Sequence, residues 1–225
     1  MAGKKTDKKT DKKTVEVVFI LDRSGSMSGL EADTIGGFNS TLSKQQEEDG
    51  GVIWSTVLFD DKHEVIHDRV NLEYVKELTE DEYYVRGSTA LLDAIGRSVH
   101  HIGNVHKYAR REDIPDKTMF VITTDGMENS SYEYSYSSVK KMIERQQKKY
   151  GWEFIFLGAN MDAVGEAGRL GIRAERAARF MNDEDGIMRN YEAVGKAMCY
   201  AREGSVIRAD FLDDVREDFR KRGRK

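Results

Sequence analysis

Five oxygen-bearing side chains, in three separate stretches, could together do one kind of chemistry. The first stretch, Asp22-Arg23-Ser24-Gly25-Ser26, offers a carboxylate and two hydroxyls at alternate positions of a turning segment. The second offers Thr89, in Gly87-Ser88-Thr89-Ala90, and the third Asp125, in Thr123-Thr124-Asp125-Gly126. Donor sets made only of oxygen select hard cations such as magnesium, manganese or calcium over copper or zinc. Two carboxylates and three neutral hydroxyls leave a divalent ion short of negative charge, so an acidic group from outside would complete its shell. Taken alone, the first stretch also fits an ordinary Ser/Gly loop with Asp22 capping a helix.

The surrounding elements must bring the three stretches together. Val15 to Leu21 is an apolar, β-branched run that reads as a central strand covered on both faces, and it stops at Asp22. Leu30, Ile35, Phe38 and Leu42 recur at helical spacing before Gly50-Gly51. Val52 to Phe59 is a second strand, with His63 to Ile66 as a short strand folding back on it. Residues 67–88 are less regular and end at Thr89, ahead of a helix marked by Leu92, Ile95, Val99 and Ile102. Lys117 to Thr124 and Trp152 to Leu157 are further buried strands, and a weaker one is expected near Ala177 to Phe180. The last clear helix starts near Asp183. Alternating strands and helices predict an α/β fold with a mostly parallel sheet and right-handed crossovers. Ligands in such sheets bind outside the carboxyl ends of the strands, where all five oxygen-bearing residues fall.

At these residues the chain resembles a von Willebrand factor type A domain. That family's metal-ion-dependent adhesion site uses Asp-x-Ser-x-Ser, a separate threonine and a separate aspartate, which match Asp22, Ser24, Ser26, Thr89 and Asp125. The resemblance covers roughly residues 15–200. It implies a Rossmann-like three-layer α/β/α sandwich of about six strands with one antiparallel edge. It implies Ser24, Ser26 and Thr89 as direct ligands in many members, with Asp22 and Asp125 binding directly or through water. The ion expected is Mg2+, or Mn2+, with Ca2+ as a further candidate. The role implied is non-catalytic: recognition of a protein partner that supplies an acidic residue. Without a secretion signal or cysteine pairs, the chain resembles the intracellular, prokaryotic or phage-type members.

Composition bounds the rest. The 225 residues include 34% charged and 39% hydrophobic, with a single proline and a single cysteine, Cys199. A lone thiol makes no internal disulfide and fits a reducing, cytoplasmic setting; its helical context suggests a small buried hydrophobe. No apolar stretch approaches the roughly 20 residues of a membrane span. Residues 1–13, with a KKTD repeat and six lysines, are expected to form a disordered leader, residues 14–204 the domain, and 205–225 a basic helix and tail. Both ends are basic around an acidic body. The basic ends are the basis of a nucleic-acid reading, weakened by the absence of stacking aromatics beside them.

An enzyme is the other alternative. A strand ending in aspartate resembles the nucleophile strand of haloacid-dehalogenase-like phosphatases, but those need a second aspartate where this chain has Ser24. No GxxxxGK[ST] phosphate loop and no G-x-S-x-G serine frame are found. His63 and His67, and His100, His101 and His106, read as solvated or half-buried side chains rather than zinc ligands. Tyr132, Tyr134 and Tyr136 fit either packing on the sheet or a rim that meets a partner.

Overall fold

The computed structural model describes residues 13–223. Six strands form one sheet in the order β3-β2-β1-β4-β5-β6. They are β1 (Val15–Asp22), β2 (Val52–Phe59), β3 (His63–Asn71), β4 (Lys117–Thr124), β5 (Glu153–Ala159) and β6 (Ala177–Phe180). All neighbours pair in parallel except the β2–β3 hairpin, which forms an antiparallel edge. Strand order reverses at β1, which pairs with both β2 and β4, so the tip of β1 is the switch point of the sheet.

Both faces are covered. Odd-numbered residues of β1 (Val15, Val17, Phe19 and Leu21) join one core with α1 (Glu31–Glu47) and α5 (Glu184–Arg202). Phe19 stacks on Trp54 at 4.6 Å, and Phe38 of α1 closes edge-on over the pair. Val18 and Ile20 point the other way, into a core with α2 (Leu91–Tyr108), α3 (Tyr136–Tyr150) and α4 (Ala163–Arg169). This is the three-layer α/β/α sandwich, and the period-2 alternation of a central strand builds both cores at once.

Two expectations change. The strand expected over His63 to Ile66 runs on to Asn71. Its register shifts opposite Thr56, and Arg69 adopts φ 52°, so a bulge hides the alternation. Cys199, expected to be buried, is partly exposed. Over residues 205–223, where a basic helix and tail were expected, the chain forms α6 (Asp213–Arg222), and Ile207, Phe211, Leu212 and Val215 join the α1/α5 core. The expected leader lies, apart from Lys13, outside the described residues. No helix among the described residues is long and apolar enough to cross a membrane.

Candidate metal centre

The segment after β1 is held in place from below and from the side. Arg23 is fully buried, and its guanidinium binds three acceptors: Asp60 at 2.8 Å, Glu64 at 2.5 Å and the Glu82 carbonyl at 2.9 Å. Asp60, also fully buried, takes a second guanidinium from Arg86 at 2.7 Å, and Tyr84 lies under both arginines. The irregular stretch 72–90 is therefore a strap. Leu72, Val75, Leu78 and Tyr83 bury its apolar side, Tyr83 donates its hydroxyl to the Asp22 carbonyl at 2.6 Å, and Gly25 N–H bonds the Gly87 carbonyl. Gly87 has φ 66°, and a Cβ there would strike Asp61, so a glycine is needed where the strap turns toward Thr89.

A second weld joins the Thr89 and Asp125 loops. Thr89 N–H bonds Asn129 Oδ1 at 2.9 Å, and Asn129 N–H returns to the Thr89 carbonyl. Glu128 accepts from Leu92 N–H, and buried Asp93 accepts the N–H groups of Tyr132, Glu133 and Tyr134. The first turn of α2 and the loop after β4 thus form one unit.

On this frame the five oxygen-bearing residues converge. Ser24 Oγ lies 3.1 Å from both Ser26 Oγ and Thr89 Oγ1, and Ser26 donates to Asp125 Oδ1 at 2.5 Å. Asp22 turns one oxygen to Ser24 N–H (2.7 Å) and the other to the Thr124 hydroxyl (2.6 Å). Asp22, Ser24, Thr89 and Asp125 are buried, and Ser26 opens the cluster to solvent. Two further residues take part that the sequence reading missed. Thr124 holds Asp22, and its place in TTDG was the available signal. Asn182, from the loop after β6, donates its amide to Asp125 Oδ2 at 3.1 Å, and nothing in the local sequence marks it.

The donor chemistry fits a hard cation. Asp22 is 1% exposed and its carboxylate oxygens meet only hydroxyl and N–H groups, with no cationic partner among the described residues. Burial raises its pKa to about 6 despite the hydrogen bonds from Thr124 and Ser24, with the Asp125 charge adding to the rise. A divalent ion beside it would reverse that cost. Space for one exists: a Cβ built on Gly126 would fall 2.9 Å from Thr89 Oγ1, 3.1 Å from Ser26 Oγ and 3.7 Å from Ser24 Oγ, so this glycine keeps the ground between the hydroxyls clear. Among the described residues no cluster of three or more His, Cys, Asp or Glu side chains could hold a metal. A thiolate or imidazole centre is therefore not built, and hydroxyls make up most of this one.

Solved structures with this arrangement of strands and helices include a von Willebrand factor type A protein from Catenulispora acidiphila (15% identity, 82% of this chain and 42% of that one, TM-score 0.55). The fold is that of a von Willebrand factor type A domain. The D319A mutant of the PilB minor pilin from Streptococcus sanguinis shares it over 88% of this chain and 64% of its own (13% identity, TM-score 0.63). So does proximal thread matrix protein 1 from the mussel byssus, in a form with a zinc-occupied MIDAS motif (16% identity, 84% and 46%, TM-score 0.56). This chain spans between about two fifths and just under two thirds of those structures. No protein-family model and no curated protein matches the sequence.

The remaining candidates go elsewhere. Tyr134 packs on Gly96 and, with Tyr136, joins the α2/α3 core; Tyr136 also bonds Glu166. Tyr132 stays 77% exposed. His101 pairs with Asp68 at 2.8 Å and His106 with Glu16 at 2.6 Å.

Proposed function

We propose that this chain is a divalent-metal-dependent protein-interaction module. Asp22, Ser24, Ser26, Thr89 and Asp125 hold one Mg2+ or Mn2+, and a carboxylate from a protein partner completes the coordination shell. The observation that carries the reading is a buried carboxylate, Asp22, with three converging hydroxyls and no cation among the described residues to balance it. A mussel protein of the same fold accepts zinc in its MIDAS motif; the oxygen-only donors here favour a harder ion. Partner contact beside the ion is supported by Met127, 66% exposed directly after Gly126, and by Tyr132.

The reading is non-catalytic. Ser24 stands where a haloacid-dehalogenase-like phosphatase has its second acid, and among the described residues the hydroxyls of Ser24 and Ser26 meet each other, Thr89 and Asp125 but no imidazole base. We place the protein in a reducing compartment, as an intracellular, bacterial or phage-type module, because Cys199 cannot pair within the sequence.

Titration calorimetry with Mg2+ and Mn2+ tests the metal: the parent binds and Asp22→Ala does not. Affinity capture from the native host, with and without chelator and with Asp125→Ala as control, tests the partner. Capture that is insensitive to both would remove the metal from the interaction. Turnover of an aryl phosphate, abolished in Asp22→Ala, would favour the phosphatase alternative.

A further inference from the structure

We propose that Asn182 is a positioning residue of the metal centre, one that holds Asp125 in a fixed orientation from the loop after β6. The inference rests on the metal reading above. Asp125 has two carboxylate oxygens and the fold assigns each a different donor: Ser26 Oγ to Oδ1 and Asn182 Nδ2 to Oδ2 at 3.1 Å. With only Ser26, the carboxylate could turn about its last bond. With both, its plane is set before any ion arrives, which is what a site for a geometrically demanding cation needs.

The amide must present its nitrogen to Asp125, because the reverse placement would set a carbonyl oxygen against a carboxylate. That leaves Asn182 Oδ1, which is buried and has no hydrogen-bond partner among the described residues. A buried acceptor normally has a donor. Waters in the inner shell of a hard cation are donors of this kind, so the unpaired oxygen points to the same ligand as the converging hydroxyls.

Asn182 is itself held firmly. The next residue, Asp183, caps α5 by accepting Gly186 N–H at 2.9 Å. Asp183 is also gripped at both oxygens by Arg222 of α6 (2.6 and 3.1 Å), and Arg222 in turn binds Asp218. The burial of Asp183 opposes ionisation, but Arg222 and Gly186 N–H outweigh it and lower its pKa. The last helix, α6, thereby braces the residue that aims Asp125.

Two near-isosteric variants with opposite chemistry provide the test. Asn182→Leu removes the donor and Asn182→Asp replaces it with a third carboxylate. Mg2+ and Mn2+ affinities are measured by calorimetry, and thermal stability is measured in chelator. We expect Asn182→Leu to weaken Mg2+ binding by about 10-fold and Asn182→Asp to tighten Mn2+ binding while destabilising the metal-free protein. A space-filling role would not produce opposite signs. A smaller loss, about 2-fold to 5-fold, is expected for Arg222→Gln, below the 10-fold or more typical of groups that touch a ligand directly, because Arg222 acts only through Asp183. If the parent binds and both Asn182 variants bind within twofold of it, Asn182 has no part in the centre and the metal reading stands. If the parent binds neither ion, the metal reading falls and the role of Asn182 with it.

Discussion

β1 carries two buried carboxylates, one near each end, and the protein treats them in opposite ways. Glu16, fully buried, is neutralised by protein groups: Arg69 forms an ion pair with Oε1, and His106 at 2.6 Å and Thr118 at 3.4 Å reach Oε2. Asp22, equally buried, has hydroxyls and an N–H but no cation. The fold can supply a cation at this depth, as it does at Glu16 and again at Asp60, where Arg23 and Arg86 converge. Among the described residues Asp22 is left without one, beside three hydroxyls, and the proposal of an external ion at the tip of β1 rests on that difference. On that proposal the closed end carries a structural charge and the open end a functional one.

If the contrast holds, the two ends respond oppositely to substitution. The largest expected effect is at the closed end. Arg69→Ala removes the permanent cation from a buried carboxylate, leaving only His106 and Thr118 on it, and should cost about 3 kcal/mol in urea unfolding, with Mg2+ present or absent. At the open end, Asp22→Asn should abolish Mg2+ binding in calorimetry yet leave the metal-free protein as stable as the parent or more so. The Thr124 hydroxyl, 3.0 Å from the Gly126 carbonyl, can donate there instead and accept from the new amide. A large loss of metal-free stability in Asp22→Asn would break the comparison.

Next in size is the effect of the ion itself. At a hundred times its dissociation constant, Mg2+ should stabilise the parent by about 2.7 kcal/mol, or a Tm rise of roughly 5–10 °C for a chain of this length. Asp22→Asn should show no rise. Gly126→Ala tests the cradle: its methyl group enters the space among Thr89, Ser26 and Ser24. It should lower Mg2+ affinity by about 10-fold, an effect the size of about 1.4 kcal/mol, with little change in Tm measured in chelator.

The smallest effect is expected from His67 on β3, buried and 3.0 Å from Thr56 Oγ1. Burial lowers its pKa below the ordinary 6.5, against a smaller opposing pull from Glu82. A histidine depressed in the fold contributes stability above its unfolded pKa and loses it as pH falls below 6.5 toward the folded value. Chemical denaturation between pH 7.5 and 5 should therefore show a decline that His67→Gln flattens. An identical decline in the variant would assign it to other groups.

What was legible in the sequence was local. An unbroken apolar run ending in Asp-x-Ser-x-Ser, the Thr89 that opens a helix and the Asp125 that closes a strand can each be read from neighbouring residues, because strand burial and loop chemistry are set within a few positions. Their convergence was also predictable, since parallel strands place all their carboxyl ends on one edge. Other features depend on partners far along the chain. Arg23 reads as a filler inside the motif, yet contacts with Asp60, Glu64 and the strap near Glu82 make it the anchor of the loop. Glu16 interrupts an apolar strand and makes sense only beside Arg69 and His106, 53 and 90 residues away. Asn182 lies 57 residues from the Asp125 it holds. A buried charge or amide is satisfied by whichever group the tertiary structure brings within about 3 Å, and no local pattern records which one that will be.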